Sequence, residues 1–160
     1  MTAAAAEVMR WSDQFLLGFP AMDDTHREFV ECVAALQRAG DVDLPAALDA
    51  FAVHARAHFA QEEQWMNGTG FPAAQCHADE HAAVLKSVHE VQELVRDGAN
   101  LPVVRQLAQA LVDWFPGHAD YLDSALSHWM SKRSHGGAPV VLRRGAAAAD
   151  AIRQVPPAAT

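Results

Sequence analysis

The sequence predicts an all-α fold: an up-and-down antiparallel four-helix bundle with an N-terminal arm and a flexible C-terminal tail. Three observations predict it. Apolar residues recur at three- and four-residue spacing in four successive segments. Short cap-and-turn phrases separate those segments, and short loops favour antiparallel neighbours. No stretch alternates polar and apolar residues as a half-buried strand would. The chain has 160 residues, which suits one domain. Its expected organisation is a flexible N-terminus over 1–9, the bundle over 10–130, and a disordered Ala/Pro/Gly-rich basic tail over 131–160.

The arm, RWSDQFLLGFP, carries aromatic anchors at Trp11, Phe15 and Phe19. Pro20, Asp23 and Asp24 then read as the start of a first helix, since proline and acids favour a first turn. Its inner face is Phe29, Val30, Val33 and Leu36, and Gly40 with Asp41 and Asp43 ends it. A second helix begins near Asp43-Leu44-Pro45, a cap followed by proline in the first turn. Leu48, Phe51, Ala52, Ala55, Phe59 and Met66 line its inner side, and Asn67-Gly68-Thr69-Gly70 stops it. A third helix is expected from about Pro72 to Arg96 through Val84, Leu85, Val88, Val91 and Val95. Asp97-Gly98-Ala99-Asn100 closes it and caps the next. The fourth runs from Leu101-Pro102 through Val104, Leu107, Leu111, Trp114 and Leu122 to Trp129.

Charge excludes some functions. The formal net charge is -8, with 20 acidic and 12 basic residues. Five of the basic residues (Lys132, Arg133, Arg143, Arg144, Arg153) follow Ser131, so the bundle itself is strongly acidic. Such a surface repels a phosphate backbone, so no nucleic-acid partner is expected. The tail reads as a solvated extension or as a docking segment for an acidic partner. No apolar run is long enough to span a bilayer, so no membrane partner is expected. The opening MTAAAAEVMRW lacks the basic start and apolar run of a secretory signal. Cys32 and Cys76 give no disulfide framework and fit a reducing, cytoplasmic compartment. A monomer or weak homo-oligomer is expected.

Nine histidines stand against twelve Lys plus Arg, and they are patterned. His54, His58 and Glu62 lie four apart on one face of the second helix. His77 and His81 repeat that spacing on the third. The fourth helix carries His118 and Asp123, and the first carries His26. Five residues of α-helix turn through about 500°, which leaves His118 and Asp123 well apart around the axis. They converge only if that axis lies beside the site. Five imidazoles and two carboxylates from four helices suit a dinuclear metal centre. Imidazole is a neutral ligand for iron or zinc, and a carboxylate can bridge two cations.

The sequence here resembles the hemerythrin family, in its single-domain bacterial form. The resemblance covers roughly 10–130. It rests on Trp11, Met22-Asp23 ahead of His26, the His58-Phe59-x-x-Glu62-Glu63 phrase, and Met66. The His77–His81 pair and Trp114 ahead of His118 and Asp123 complete it. The resemblance implies two iron ions with an oxo or hydroxo bridge. His77, His81 and His118 would hold one iron, His26 and His58 the other, and Glu62 and Asp123 would bridge them. It also implies reversible dioxygen binding at an open position on the two-histidine iron, for oxygen carriage, storage or sensing. Phe59, Leu111, Trp114, Phe115, Ala119 and Leu122 are the expected apolar lining of the ligand pocket.

The sequence departs from the family pattern at three places. Thr25 stands where glutamine is usual before the first-helix histidine, and Ala119 replaces an isoleucine, which should widen the pocket. Pro116-Gly117 interrupts the fourth helix just before His118. Proline removes a helical hydrogen bond, so a kink that re-aims His118, or a loosened three-histidine iron, is expected. The widened pocket keeps an enzyme reading open, with a di-iron centre acting on peroxide, nitric oxide or another small oxidant. A structural or metal-handling bundle is the other alternative. His54 reads as a packed side chain or a group behind the ligands. His89, His128 and His135 read as surface residues. Glu63 reads as solvated or as an acceptor behind a ligand, Cys32 as helix core, and Cys76 as a small buried residue.

Overall fold

The computed structural model describes residues 6–134. Of the expected tail over 131–160, residues 131–134 are described and are helical; the rest, with His135, lies outside the described residues, as do residues 1–5. The described chain is helical throughout its regular structure. A short 3-10 turn, Asp13–Phe15, precedes α1 (Pro20–Arg38), α2 (Leu44–Thr69), α3 (Ala74–Leu94) and α4 (Leu101–His118). A π-helical turn, Ala119–Asp123, then leads directly into α5 (Ser124–Ser134). Both junction residues, Ala119 and Ser124, keep right-handed helical dihedrals, so α4, the π turn and α5 form one long fourth helix.

Local chemistry explains the boundaries. Proline occupies the first or second position of α1, α2 and α4, where a missing N–H costs no helical bond. Gly70 ends α2 in the left-handed region, φ 66°, and the N–H groups of Gly70 and Phe71 both donate to the Met66 carbonyl. Phe71 then packs back on Met66. The third helix starts at Ala74, two residues later than Pro72. Pro72 is spent in a turn that the Ala74 N–H closes by donating to Phe71. Asn100 takes φ 58° ahead of α4, and its side-chain amide donates to the Leu94 carbonyl, joining the end of α3 to the start of α4.

The core has two apolar clusters. The larger gathers Phe29, Val33 and Leu36 of α1 with Leu48, Phe51 and Phe59 of α2. Val88, Val104, Leu111 and Phe115 complete it from α3 and α4. The smaller holds Leu17, Met22, Met66, Phe71 and Leu126. Along the chain, His26 falls between the parts of α1 that feed the two clusters. Glu62 does so on α2, and Asp123 on the fourth helix. A polar layer is thereby sealed between two apolar ones.

The arm closes the structure on one side. Asp23 is buried, and its carboxylate accepts the N–H groups of Leu17 (2.8 Å) and Gly18 (3.0 Å). Ser127 donates to the Leu17 carbonyl, tying the arm to the fourth helix. Trp11 packs at a tilt on Phe15, which packs in turn on Phe115. Asp23 therefore serves the arm as an anchor as well as marking a helix start. Before the arm, Met9 is buried and its N–H donates to Gln37.

Candidate metal centre

Seven side chains converge between the two clusters: His26 from α1, His58 and Glu62 from α2, His77 and His81 from α3, and His118 and Asp123 from the fourth helix. Each is at most 4% exposed. All five imidazoles face inward through Nε2. Glu62 presents Oε1 to His58 (2.8 Å) and His26 (3.4 Å), and Oε2 to His81 (3.2 Å) and His77 (3.3 Å). Asp123 divides in the same way, with Oδ2 toward His26 (3.2 Å) and Oδ1 toward His77 (2.9 Å) and His118 (3.1 Å). Each carboxylate offers one oxygen to a two-histidine group and the other to a three-histidine group.

This arrangement fits cations better than it fits its own hydrogen bonds. The Nε2 atoms of His26 and His77, Glu62 Oε2 and both Asp123 oxygens are buried without a hydrogen-bond partner, although oppositely charged groups lie within 3.4 Å. Lone pairs aimed at a common point, and not at one another, produce that pattern. Two ligand atoms about 2.1 Å from one ion and at right angles lie about 3 Å apart, which is the spacing seen. Glu62, His77, His81, His118 and Asp123 form one group able to hold a metal ion, and His26, His58 and Glu62 form another.

The electrostatics of the bare site are equally particular. Burial opposes charge on His26 and His77, yet the neighbouring Asp123 and Glu62 outweigh it and raise both to about 9. Burial pushes the Glu62 carboxyl upward, and the surrounding histidines more than reverse this, leaving it well below the usual range. Asp123 is likewise lowered, its burial and the Glu62 charge being outweighed by His118, His26 and His77. His81 is lowered by burial, with His77 and His118 adding repulsion. Without a cation, protons bound to imidazoles balance the two carboxylates.

His118 reaches the site despite Pro116-Gly117. Helical structure continues through Pro116 to His118, and a π turn begins at Ala119. In the π turn hydrogen bonds run to the fifth residue, as from the Ser124 N–H to the Ala119 carbonyl. Residues five apart then stack above one another. The wide angle between His118 and Asp123 expected of an α-helix is closed by this local change of pitch.

Aromatic rings wall the site. Phe59 stacks flat on His81 (centroids 4.0 Å, 4° between planes), and Trp114 lies on His118 at 4.3 Å. Phe115 meets His26 edge-on at 5.2 Å. Leu111 and Ala119 are buried in the larger cluster. Leu122 is half-buried and belongs to neither cluster. Phe29, read from sequence only as core, stacks on Phe115 and meets His58 edge-on. Its place one turn after His26 was the available signal. Thr25 donates to the Ala21 carbonyl along its own helix.

Several groups lie just behind the ligating side chains. Glu80 was not singled out by sequence reasoning, although it directly precedes His81; its Oε2 lies 2.7 Å from His118 Nδ1. Glu63 Oε1 is 3.6 Å from His81 Nδ1. His54 packs against Phe29 and His58, with Nδ1 3.7 Å from the exposed Glu28. Burial first, then the charges of His58 and His26, lower its pKa to about 4. Cys76, expected to be buried, is exposed, because it sits opposite the inward face that His77 and His81 define. Cys32 is partly buried against the core, and His89 and His128 are exposed.

Comparison with known proteins converges on one family. Residues 17–127 match the Hemerythrin HHE cation binding domain. A bacteriohemerythrin of Ralstonia nicotianae is 36% identical over 126 residues, covering 79% of this chain and 91% of the relative. Bacteriohemerythrins of Stenotrophomonas maltophilia (25% over 142 residues) and Pseudomonas paraeruginosa (29% over 140 residues) cover 79% of this chain and 90% of their own length.

Proposed function

The chain belongs to the hemerythrin family, and on that premise we propose that it binds dioxygen reversibly at a pair of non-haem irons, for oxygen carriage, storage or sensing. The observation that carries this reading is the division of Glu62 and Asp123, each giving one oxygen to either histidine group. His77, His81 and His118 would hold one iron, His26 and His58 the second, and the two carboxylates would bridge. An oxo or hydroxo group would complete the bridge. When bound, the pair of irons would supply the redox chemistry that reversible dioxygen binding needs.

The chain supplies the conditions for reversibility. Two carboxylates balance only part of the positive charge of two irons, so the oxidised state is stabilised less than in a carboxylate-rich site. The two-histidine side has fewer donors, and Phe29 and Phe115 pack there against His58 and His26. Such an apolar wall would keep water away from a small uncharged ligand bound there.

Metal analysis with anaerobic reduction and an optical oxygen titration tests the proposal. The expected result is two irons per chain and charge-transfer bands that appear with dioxygen and vanish on its removal. One metal per chain, zinc alone, or steady turnover of peroxide or nitric oxide without reversible bands would overturn it.

A further inference from the structure

We propose that Glu80 is a positioning residue that fixes His118 for the three-histidine half of the site, a role that rests on the di-iron reading above. His118 occupies the least regular stretch of its helix. Pro116 and Gly117 precede it and the π turn follows at once, so the run of α-helical hydrogen bonds is interrupted on both sides of it.

The side chain is instead held from the neighbouring helix. Glu80, on α3, accepts the Nδ1–H of His118 at 2.7 Å, across 38 residues of chain. Trp114 covers one ring face at 4.3 Å. Among the described residues the Nδ1 atoms of His26, His58, His77 and His81 have no hydrogen-bond partner. His81 Nδ1 comes nearest, at 3.6 Å from Glu63, beyond bonding distance. His118 alone of the five therefore has its outer nitrogen bonded to a carboxylate.

The bond has a chemical consequence. Once Nδ1 donates to Glu80, the proton is on the outer nitrogen and the Nε2 lone pair is free. That lone pair faces Asp123 Oδ1 at 3.1 Å and His81 Nε2 at 3.3 Å, the atoms with which it would share an ion. A carboxylate behind a ligating imidazole fixes its tautomer and orientation. Here it also ties α3 to the one helix whose own regularity is interrupted.

The test compares the full-length parent, E80A and E80Q. Glu80 is 48% exposed, so both variants should fold, with helical circular dichroism and melting like the parent's. Each is loaded anaerobically with iron(II) and challenged with a chelator. The parent should hold two ions. E80A should surrender one of them at about tenfold lower chelator concentration or less, while keeping the other as the parent does. E80Q keeps an oxygen acceptor and should stay within about threefold of the parent. In the zinc(II)-loaded chain, the His118 Nδ1–H followed by ¹⁵N-resolved NMR should exchange slowly in the parent and E80Q and at least about tenfold faster in E80A.

Parent-like retention of both ions by E80A, equal weakening of both, or an E80Q as weak as E80A would each overturn the role of Glu80. Fewer than two ions on the parent would overturn the di-iron reading itself, an outcome visible before either variant is measured.

Discussion

Glu62 and Asp123 share their buried layer with five imidazoles, and what balances their charge depends on whether cations are present. In the metal-free chain His26 and His77 hold protons to about pH 9, because the nearby carboxylates outweigh the cost of burial. Ligation requires unprotonated nitrogen, so loading must expel those protons. At pH 7.5, zinc(II) or iron(II) loading should release about two protons per chain. Metal affinity should rise with pH until about 9. A pH-stat titration measures both, and loading without proton release would contradict the assignment. Ala119 makes a second residue-scale test. It is 1% exposed and packed in the larger apolar cluster, so Ala119→Ile adds apolar bulk to the core that walls the site. The iron(II) protein should autoxidise more slowly in air, at a packing cost of about 1–3 kcal/mol. An optical decay rate equal to or faster than the parent's would count against this.

At the scale of elements, the arm and the π turn are the features whose roles differ most from their sequence reading. Asp23 was legible as a helix-start acid, yet it is buried because the arm folds back and gives it two N–H donors. Hydrogen bonds to a charged acceptor are worth about 1.5–3 kcal/mol each. Asp23→Ala should therefore lower unfolding free energy by at least about 2 kcal/mol in urea. It should also expose the Trp11–Phe15 pair to quenchers of tryptophan fluorescence. A variant as stable as the parent would show the arm to be incidental. The π turn was not legible at all. A five-residue separation of His118 and Asp123 looks misplaced on an α-helix, and nothing in ADYLD announces a change of pitch. The change goes with the position of Asp123 beside His26 and His77, contacts made by other helices.

For the whole molecule, the polar layer between two apolar clusters makes stability depend on pH and metal together. Histidines raised above their ordinary value of about 6.5 contribute stability that is present below that value and lost as pH rises through about 9. The lowered carboxylates contribute above their ordinary range of about 4 and lose their contribution as pH falls. His54, lowered to about 4, acts oppositely to His26 and His77 and costs stability as pH falls below about 6.5. The metal-free chain should therefore show a urea midpoint that declines from pH 6.5 to 9.5. The metal-loaded chain should melt higher throughout and lack that decline, because ions replace the ring protons. Parallel pH profiles with and without metal would contradict this. No helix among the described residues is long and apolar enough to cross a membrane.

The four helices and the His58–Glu62 and His77–His81 pairs could be read from local pattern, whereas His118 and Asp123 stand at a spacing that a regular α-helix does not bring together. Helical periodicity and i,i+4 spacing are properties of a chain segment by itself, which is why His58–Glu62 and His77–His81 stood out. His26 was legible mainly through the resemblance, having no partner one turn away. What only the tertiary structure decided lies between segments. It set which carboxylate oxygen faces which imidazole, brought Glu80 to His118 across two helices, buried Asp23 under the arm, and wound Asp123 onto the face of His118. Each of these depends on groups that are distant in sequence and adjacent in space, and such adjacency is created by packing and not by any single stretch of chain.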